Sequence, residues 1–291
     1  MSGLRAKQAL PLDMKILMSQ KRIAEWYNHW DGQVYVSFSG GKDSTVLLDM
    51  VRVLYPDVKA AFVDTGLEFP EIRDFVRSID NVEWLKPKLN FKDTIDKYGF
   101  PVVSKEVACY IDQYRSTKKE SLRQKRWSAK VGKIPEKWKF LVNAPFKISD
   151  RCCYVMKKAP IKSFETRTKL KPFIGTMACD SNIRKINYTR YGCNAFDIKR
   201  PVSAPLGFWL EKDVWEYINK FSAVKYSKIY DMGYKRTGCM FCMFGLHMEG
   251  KPDRFDLMRE THPKQYAYCM DTLGLRKVID YLVKKQGDKD E

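Results

Sequence analysis

The sequence is short of several things, and each gap excludes something. No run of 18 apolar residues occurs in its 291 residues, so no membrane-spanning helix is expected. The opening stretch MSGLRAKQALPLDMK has no apolar core of signal-peptide length, which makes a cytoplasmic protein the expectation. There is no internal repeat, no low-complexity tract and no Gly/Ser linker. Acid is scarce relative to base: 35 Asp and Glu against 53 Lys and Arg leave a net charge of +18. That excess favours a polyanionic partner, nucleic acid before others, with a basic surface kept for solubility as the plain alternative.

What is present supports a sizeable fold. A hydrophobic content of 44% and this length suit one large α/β domain with additions, or two small ones. Residues 14 to 30 carry Ile16, Leu17, Ile23, Trp26, Tyr27 and Trp30 at helical spacing. QVYVSF, VKAAFVDTG and VEWLKPK read as strands, with DSTVLLDMVRVLY and FPEIRDFVRSI as helices between them. Such alternation implies right-handed βαβ units and a parallel sheet. KPFIGT and FDIKRPVSAPLGF add extended segments, and LEKDVWEYINKF an amphipathic helix. The expected fold is a doubly wound, mostly parallel five-stranded sheet. Its expected parts are an N-terminal helix over 1–30, a nucleotide-binding domain over 31–245 and a C-terminal helical extension over 246–291, broken at Gly274. Residues 115–139 hold ten Lys/Arg, two Glu, Trp127 and Trp138; they suit a basic insertion on a phosphate backbone or a solvated helical face equally.

The string SFSGGKDST follows the first strand and opens the first sheet helix. A strand, a tight loop and a helix present free backbone N–H groups to an anion. Gly40 and Gly41 let the chain turn sharply against phosphate, beside Ser39. Lys42 neutralises phosphate charge, Ser44 donates a hydroxyl, and Asp43 suits Mg²⁺ or the positioning of the loop. The spacing is not G-x-x-x-x-G-K-[ST], so this is not a Walker A loop. Asp64, Thr65 and Gly66 end the second strand at the carboxyl edge, where open α/β sheets bind ligands.

SGGKDS resembles the pyrophosphatase loop (PP-loop) of the adenine-nucleotide α-hydrolase superfamily, whose members cleave ATP between the α and β phosphates or bind an adenylyl nucleotide there. FVDTGLEFPEIRDFV resembles the corresponding stretch of the sulfonucleotide reductases, which reduce adenylyl sulfate or phosphoadenylyl sulfate. The likeness continues through CCYVMKKAPIKSF, FIGTMACDSNIRK, PVSAPLGFWLEKDVWEYI and YSKIYDMGYKRTGCMFC, over about residues 30 to 245.

Eight cysteines in a cytoplasmic chain are not expected to be a disulfide framework. Cys152–Cys153 and Cys239-x-x-Cys242 stand out, as four soft thiolates that suit zinc or an iron–sulfur cluster. An adjacent pair makes an awkward zinc knuckle. The resemblance implies a 4Fe–4S cluster on these four, with zinc the lesser alternative, and Lys157 near cluster and phosphate. Cys109, Cys193 and Cys269 are expected to be small buried hydrophobes. Cys179, beside Asp180 and Arg184, is kept open as a sulfur carrier. His262 is expected to cap or pack.

The resemblance also breaks. The reductases attack sulfur with a cysteine in a Glu-Cys-Gly-Leu tail, whereas this sequence ends LVKKQGDKDE. Their arginine stretch reads Gly175-Thr176-Met177-Ala178 here, leaving Arg184 as the anion ligand. These departures tilt the expectation towards the PP-loop enzymes that insert sulfur into nucleic acids, such as the DNA phosphorothioation proteins and the cluster-bearing tRNA thiolases. ATP, Mg²⁺, the cluster, a DNA or tRNA acceptor and a cysteine desulfurase as sulfur donor follow as expectations, with a homo-oligomer left open. A sulfonucleotide reductase and a non-catalytic nucleotide- or nucleic-acid-binding subunit are the alternatives.

Overall fold

QVYVSF forms β1 (Val34–Phe38), buried along its length except at Ser37. Near-continuous burial is what a central strand of a parallel sheet requires, because both faces are covered. β2 (Ala60–Val63), β3 (Val82–Leu85) and β4 (Lys171–Ile174) also form where the β-branched and aromatic runs placed them. In this computed structural model, which describes residues 2–287, the sheet has six strands, against the five expected. FDIKRPVSAPLGF contributes only the two-residue β6 (Val202–Ser203), and β5 (Asn194–Ala195) pairs antiparallel with it at the edge. Two residues are too short for any alternation to register.

The strand order is β3-β2-β1-β4-β6-β5. β1 pairs in parallel with β2 on one side and β4 on the other. The winding direction therefore reverses between β1 and β4, and the crevice at their carboxyl ends is where sheets of this kind bind ligands.

The chain divides into two units. The first comprises Met1–Asp64, Phe69–Lys86 and Ile161–Thr237 and holds the whole sheet. Trp26, Tyr35, Phe62, Phe164, Phe173 and Trp209 fill its core. The single N-terminal helix expected over 1–30 is instead two, Ser2–Gln8 and Leu12–His29, parted at Pro11. The second helix buries Leu12, Lys15, Ser19, Ile23 and Trp26, while Leu17, read as part of its apolar face, is exposed. Lys15 reaches Asp213 at 2.7 Å, and Ser19 accepts a hydrogen bond from the Trp209 indole, so the inward stripe is partly polar.

The second unit comprises Thr65–Glu68, Pro87–Pro160 and Gly238–Glu291 and is mainly helical. Phe91, Phe100, Ile111, Trp138, Phe241 and Met258 are buried in it. The basic stretch 115–139 runs through the helix Glu120–Ser128, none of whose residues is buried. Its two tryptophans differ: Trp127 is exposed, but Trp138 packs inside against the His247 ring. The C-terminal helices break at Gly274, which takes φ +74, and also at His262. His262 is buried where Arg254–Thr261 hands over to Pro263–Ala267; its side chain makes no cap hydrogen bond to the second of these helices, so of the two expected roles the burial suits packing. Among the described residues, no helix is long and apolar enough to cross a membrane.

Candidate active site

In the first unit the loop after β1 is drawn tight by its own hydroxyls. Ser44 donates to the Gly41 carbonyl at 2.8 Å, the Ser39 amide donates to Ser44 Oγ at 3.2 Å, and the Gly41 amide donates to Ser39 Oγ at 3.3 Å. Gly40 sits at φ +71, and a Cβ there would lie 2.9 Å from both Ile72 and Val76. The helix Lys42–Leu54 starts directly after Gly41, so the N-terminal amides that lack intrahelical partners lie at the loop, that of Lys42 donating to the Tyr230 hydroxyl. Gly175, just past β4, packs on the same backbone: a Cβ there would come within 3.0 Å of the Asp43 carbonyl and the Ser44 amide. The loop and Gly175 thus meet where the strand order reverses.

Lys42 is buried yet charged. Its Nζ lies 3.1 Å from Glu211 and 3.5 Å from Asp43. Burial pulls the ammonium pKa down, but the Asp43 and Glu211 carboxylates more than offset it, and the net direction is up. Asp43 moves the other way from a free carboxylate. Burial raises its pKa first, Lys42 lowers it, and nearby Asp180 and Glu211 raise it again. Among the described residues its Oδ1 is buried without a hydrogen-bond partner. That oxygen faces the Lys42 ammonium at 3.5 Å, and the three carboxylates do not converge into a metal cage among the described residues, so Asp43 offers a cation brought by a ligand one hard oxygen donor.

Tyr230 is part of the same site. Its hydroxyl accepts the Lys42 backbone N–H at 2.8 Å, and its ring lies under the Lys42 ammonium at 5.6 Å. Thr237 crowds Gly41 so closely that a Cβ there would lie 2.7 Å from its hydroxyl. Arg184 is exposed on the helix Asn182–Tyr191 and paired with Asp180. Asp64 is buried at the end of β2 and accepts from Arg73 at 3.0 Å. Tyr230, Thr237, Glu211 and Asp180 were not singled out as site residues from sequence. All four lie in the stretches FIGTMACDSNIRK, PVSAPLGFWLEKDVWEYI and YSKIYDMGYKRTGCMFC, whose resemblance was the signal that could have flagged them.

Thr65 and Gly66 belong to the second unit. Glu68 folds back on Thr65, accepting its amide at 2.9 Å and its hydroxyl at 2.8 Å. Gly66 takes φ +76 with open space around it. Lys157 lies 3.8 Å from Glu68. The thiol of Cys239 and the Glu68 carboxylate together hold its ammonium above the usual lysine range.

Cys152, Cys153, Cys239 and Cys242 are all in this unit. Cys152 and Cys153 follow Arg151 on a one-turn helix, Arg151–Cys153, that widens into a π-turn over Tyr154–Lys158. The Cys152 thiol donates to Cys153, which, with Lys105 and Lys157 nearby, lowers Cys153 and pushes Cys152 up. Burial raises Cys239 and Cys242. Four soft sulfurs supplied as two pairs, with lysines to offset thiolate charge, fit an iron–sulfur group by donor chemistry. Among the described residues no three His, Cys, Asp or Glu side chains group tightly enough to grip one metal ion, so the thiols form a neighbourhood and not a closed tetrahedral site. Of the other cysteines, Cys193 and Cys269 are buried as expected. Cys109 is only half-buried at its place on the helix Lys105–Ser116, and Cys179 is exposed on a short 3₁₀ turn, so neither is a core hydrophobe.

A parallel sheet with a serine- and glycine-built anion loop at its switch point defines a PP-loop nucleotide fold. Residues 33–127 and 84–244 match the phosphoadenosine phosphosulfate reductase domain, and the chain belongs to that family. It is 26% identical over 232 residues to an adenosine 5'-phosphosulfate reductase of Staphylococcus haemolyticus, covering 76% of this chain and 74% of the relative. It is also 26% identical over 272 residues to an uncharacterized protein of Methanocaldococcus jannaschii, covering 90% of this chain but 53% of that one. The chain thus spans about half the length of that relative. A phosphoadenylyl-sulfate reductase structure from Candida auris aligns at 19% identity and a TM-score of 0.47, over 76% of this chain and 87% of its own.

Proposed function

We propose that the chain is an ATP-dependent enzyme that adenylylates an acceptor, nucleic acid by preference, to prepare it for sulfur incorporation. The observation that carries the reading is the loop pair Lys42 and Asp43: an ammonium for phosphate and, 3.5 Å away, a half-buried carboxylate oxygen that makes no hydrogen bond, with Asp180 and Glu211 nearby. An adenylyl sulfate brings only negative charge, which those carboxylates would repel. ATP arrives with Mg²⁺, for which Asp43 offers one hard oxygen donor.

In this reading the loop amides and Lys42 bind the α-phosphate and the departing pyrophosphate, where negative charge grows as the acceptor oxygen attacks phosphorus. Asp43 would hold Mg²⁺, whose chemistry is to offset charge on the leaving pyrophosphate. Ser39 and Ser44 keep the loop shut around the phosphates, and Gly175 lets the β4 end come close. Cys152, Cys153, Cys239 and Cys242 would hold the 4Fe–4S cluster, which supplies an iron site for incoming sulfur. Lys157 keeps a positive charge beside Cys239 and Glu68. Arg184 offers a surface cation to the ligand, and a cysteine desulfurase would supply the sulfur. The charge of +18 supports a polyanionic acceptor.

The test is release of AMP and pyrophosphate from ATP by cluster-loaded protein, with DNA and RNA pools added separately. Lys42→Ala is expected to keep its fold and lose about 10²-fold or more in turnover. Absence of both ATP binding and α,β cleavage with every pool present would sink the proposal. The family itself favours a second reading, a sulfonucleotide reductase. Sulfite released from adenylyl sulfate with thioredoxin would establish that one instead.

A further inference from the structure

The second unit carries a concave basic pocket that the nucleotide loop and the cysteines leave unused. Its volume is ≈ 370 Å³, and its lining includes Lys97, Tyr98, Asp112, Arg115, Lys147 and Arg151. Four cations therefore face one carboxylate. Their hydrogen-bond partners are telling. Arg115 donates to the carbonyls of Leu141, Val142, Ala144 and Phe146, and Lys147 donates to those of Asp96 and Lys97. Carbonyls fix the geometry of a cation without cancelling its charge. Among the described residues, no carboxylate lies within the 4.0 Å ion-pair distance of any of the four, although ion pairs are common elsewhere, as between Lys92 and Asp96. Arg115 spends four of its five N–H donors on those carbonyls, so it lends the hollow a fixed positive charge, and the donors left to meet an anion are those of Lys97, Arg151 and, in part, Lys147.

We propose that this pocket seats a backbone phosphate of a polynucleotide, and so serves as the docking point for the acceptor. The proposal rests on the nucleic-acid reading above and deepens it. Two placements favour a polynucleotide over a lone phosphate. Arg115 ends the helix Lys105–Ser116, and from that residue to 139 the chain carries ten Lys/Arg against two Glu, so positive charge continues away from the pocket. Arg151 also directly precedes Cys152, on the same one-turn helix as Cys153. A phosphate held by Arg151 brings its nucleotide to the thiol neighbourhood of its own unit, where a nucleic acid awaiting sulfur has reason to be.

The test is fluorescence anisotropy of labelled single-stranded RNA and DNA oligonucleotides on the full chain, for the parent and for Lys97→Glu with Lys147→Glu. Both lysines are exposed, and neither is a cysteine neighbour. Lys162→Glu, exposed in the first unit, removes the same charge elsewhere and controls for net charge. The expected result is a loss of about 10-fold or more in affinity for the double variant. Its salt slope should fall by roughly 0.7 per lost phosphate contact. Lys162→Glu should bind close to the parent, and equimolar inorganic phosphate should displace nothing. ATP binding in the absence of oligonucleotide, read by equilibrium dialysis, should be the same in all three proteins. If the double variant binds as the parent does, the pocket assignment is overturned and the acceptor reading survives. A parent that binds no oligonucleotide overturns both. Displacement by inorganic phosphate makes the pocket a site for a lone phosphate and overturns the docking role.

Discussion

Asp213→Ala is expected to cost more stability than any surface change in the first unit. Lys15 and Asp213 sit 2.7 Å apart with side chains 1% and 3% exposed. At an effective dielectric of 20, a pair at that separation attracts by about 6 kcal/mol, much of it cancelled by the desolvation of both ions. Removing one partner forfeits the attraction but leaves the other ion buried, and that costs roughly 3–5 kcal/mol. Asp213 also accepts the Leu210 amide at 2.7 Å, capping the helix Glu211–Lys220, which adds about 1 kcal/mol. A loss of about 4–6 kcal/mol approaches the whole stability of a typical domain, roughly 5–15 kcal/mol. Lys15→Met combined with Asp213→Leu should recover most of it, since neither ion is then stranded. Urea unfolding followed by far-ultraviolet circular dichroism measures both. A single variant that loses less than about 1.5 kcal/mol, or a double variant no better than the single, would refute the stranded-charge account. There is a functional echo: Glu211, the first residue of that capped helix, pairs with Lys42, so the single variant should also weaken nucleotide binding.

Two further outcomes follow from the site. Asp43→Asn removes the carboxylate expected to meet the cation, so Mg²⁺-dependent pyrophosphate release should fall about 10²-fold or more; turnover close to the parent's would refute the cation role. Burial raises Cys193 to about 11 and Cys269 to about 12, from an ordinary 9.0. Folding thus favours their protonated thiols: the stability they add is whole below about pH 9 and drains away as pH climbs through those raised values. Iodoacetamide at about pH 8 should leave both unmodified until the protein unfolds, and mass mapping of early labelling on either would contradict their burial.

The parts of the molecule that were legible in advance are those whose physics is local. A glycine loop between a strand and a helix announces itself in nine consecutive residues, and β1 to β4 in short β-branched and aromatic runs. The rest depends on partners far away in the chain. Lys15 and Ser19 face inward because Asp213 and Trp209 await them, about 200 positions later, and no apolar periodicity encodes that. Tyr230, Glu211 and Asp180 join the loop only through the packing of separate elements. Trp127 and Trp138 sit in one basic tract, yet composition could not tell the exposed ring from the buried one. The cysteine pairs were legible as donors because adjacency and C-x-x-C spacing are sequence facts, whereas their mutual proximity is a property of the fold.

The hydrogen bond from the Lys42 amide to the Tyr230 hydroxyl carries a last consequence. On the proposed reading, a phosphate that takes the Lys42 amide would have to displace this tyrosine. A neutral group would trade one ordinary hydrogen bond for another and gain nothing. A phosphate oxygen trades up to a charge-assisted bond of about twice the strength. Under that reading the tyrosine would bias the loop towards charged ligands, and Tyr230→Phe should narrow the preference for phosphate over a neutral group.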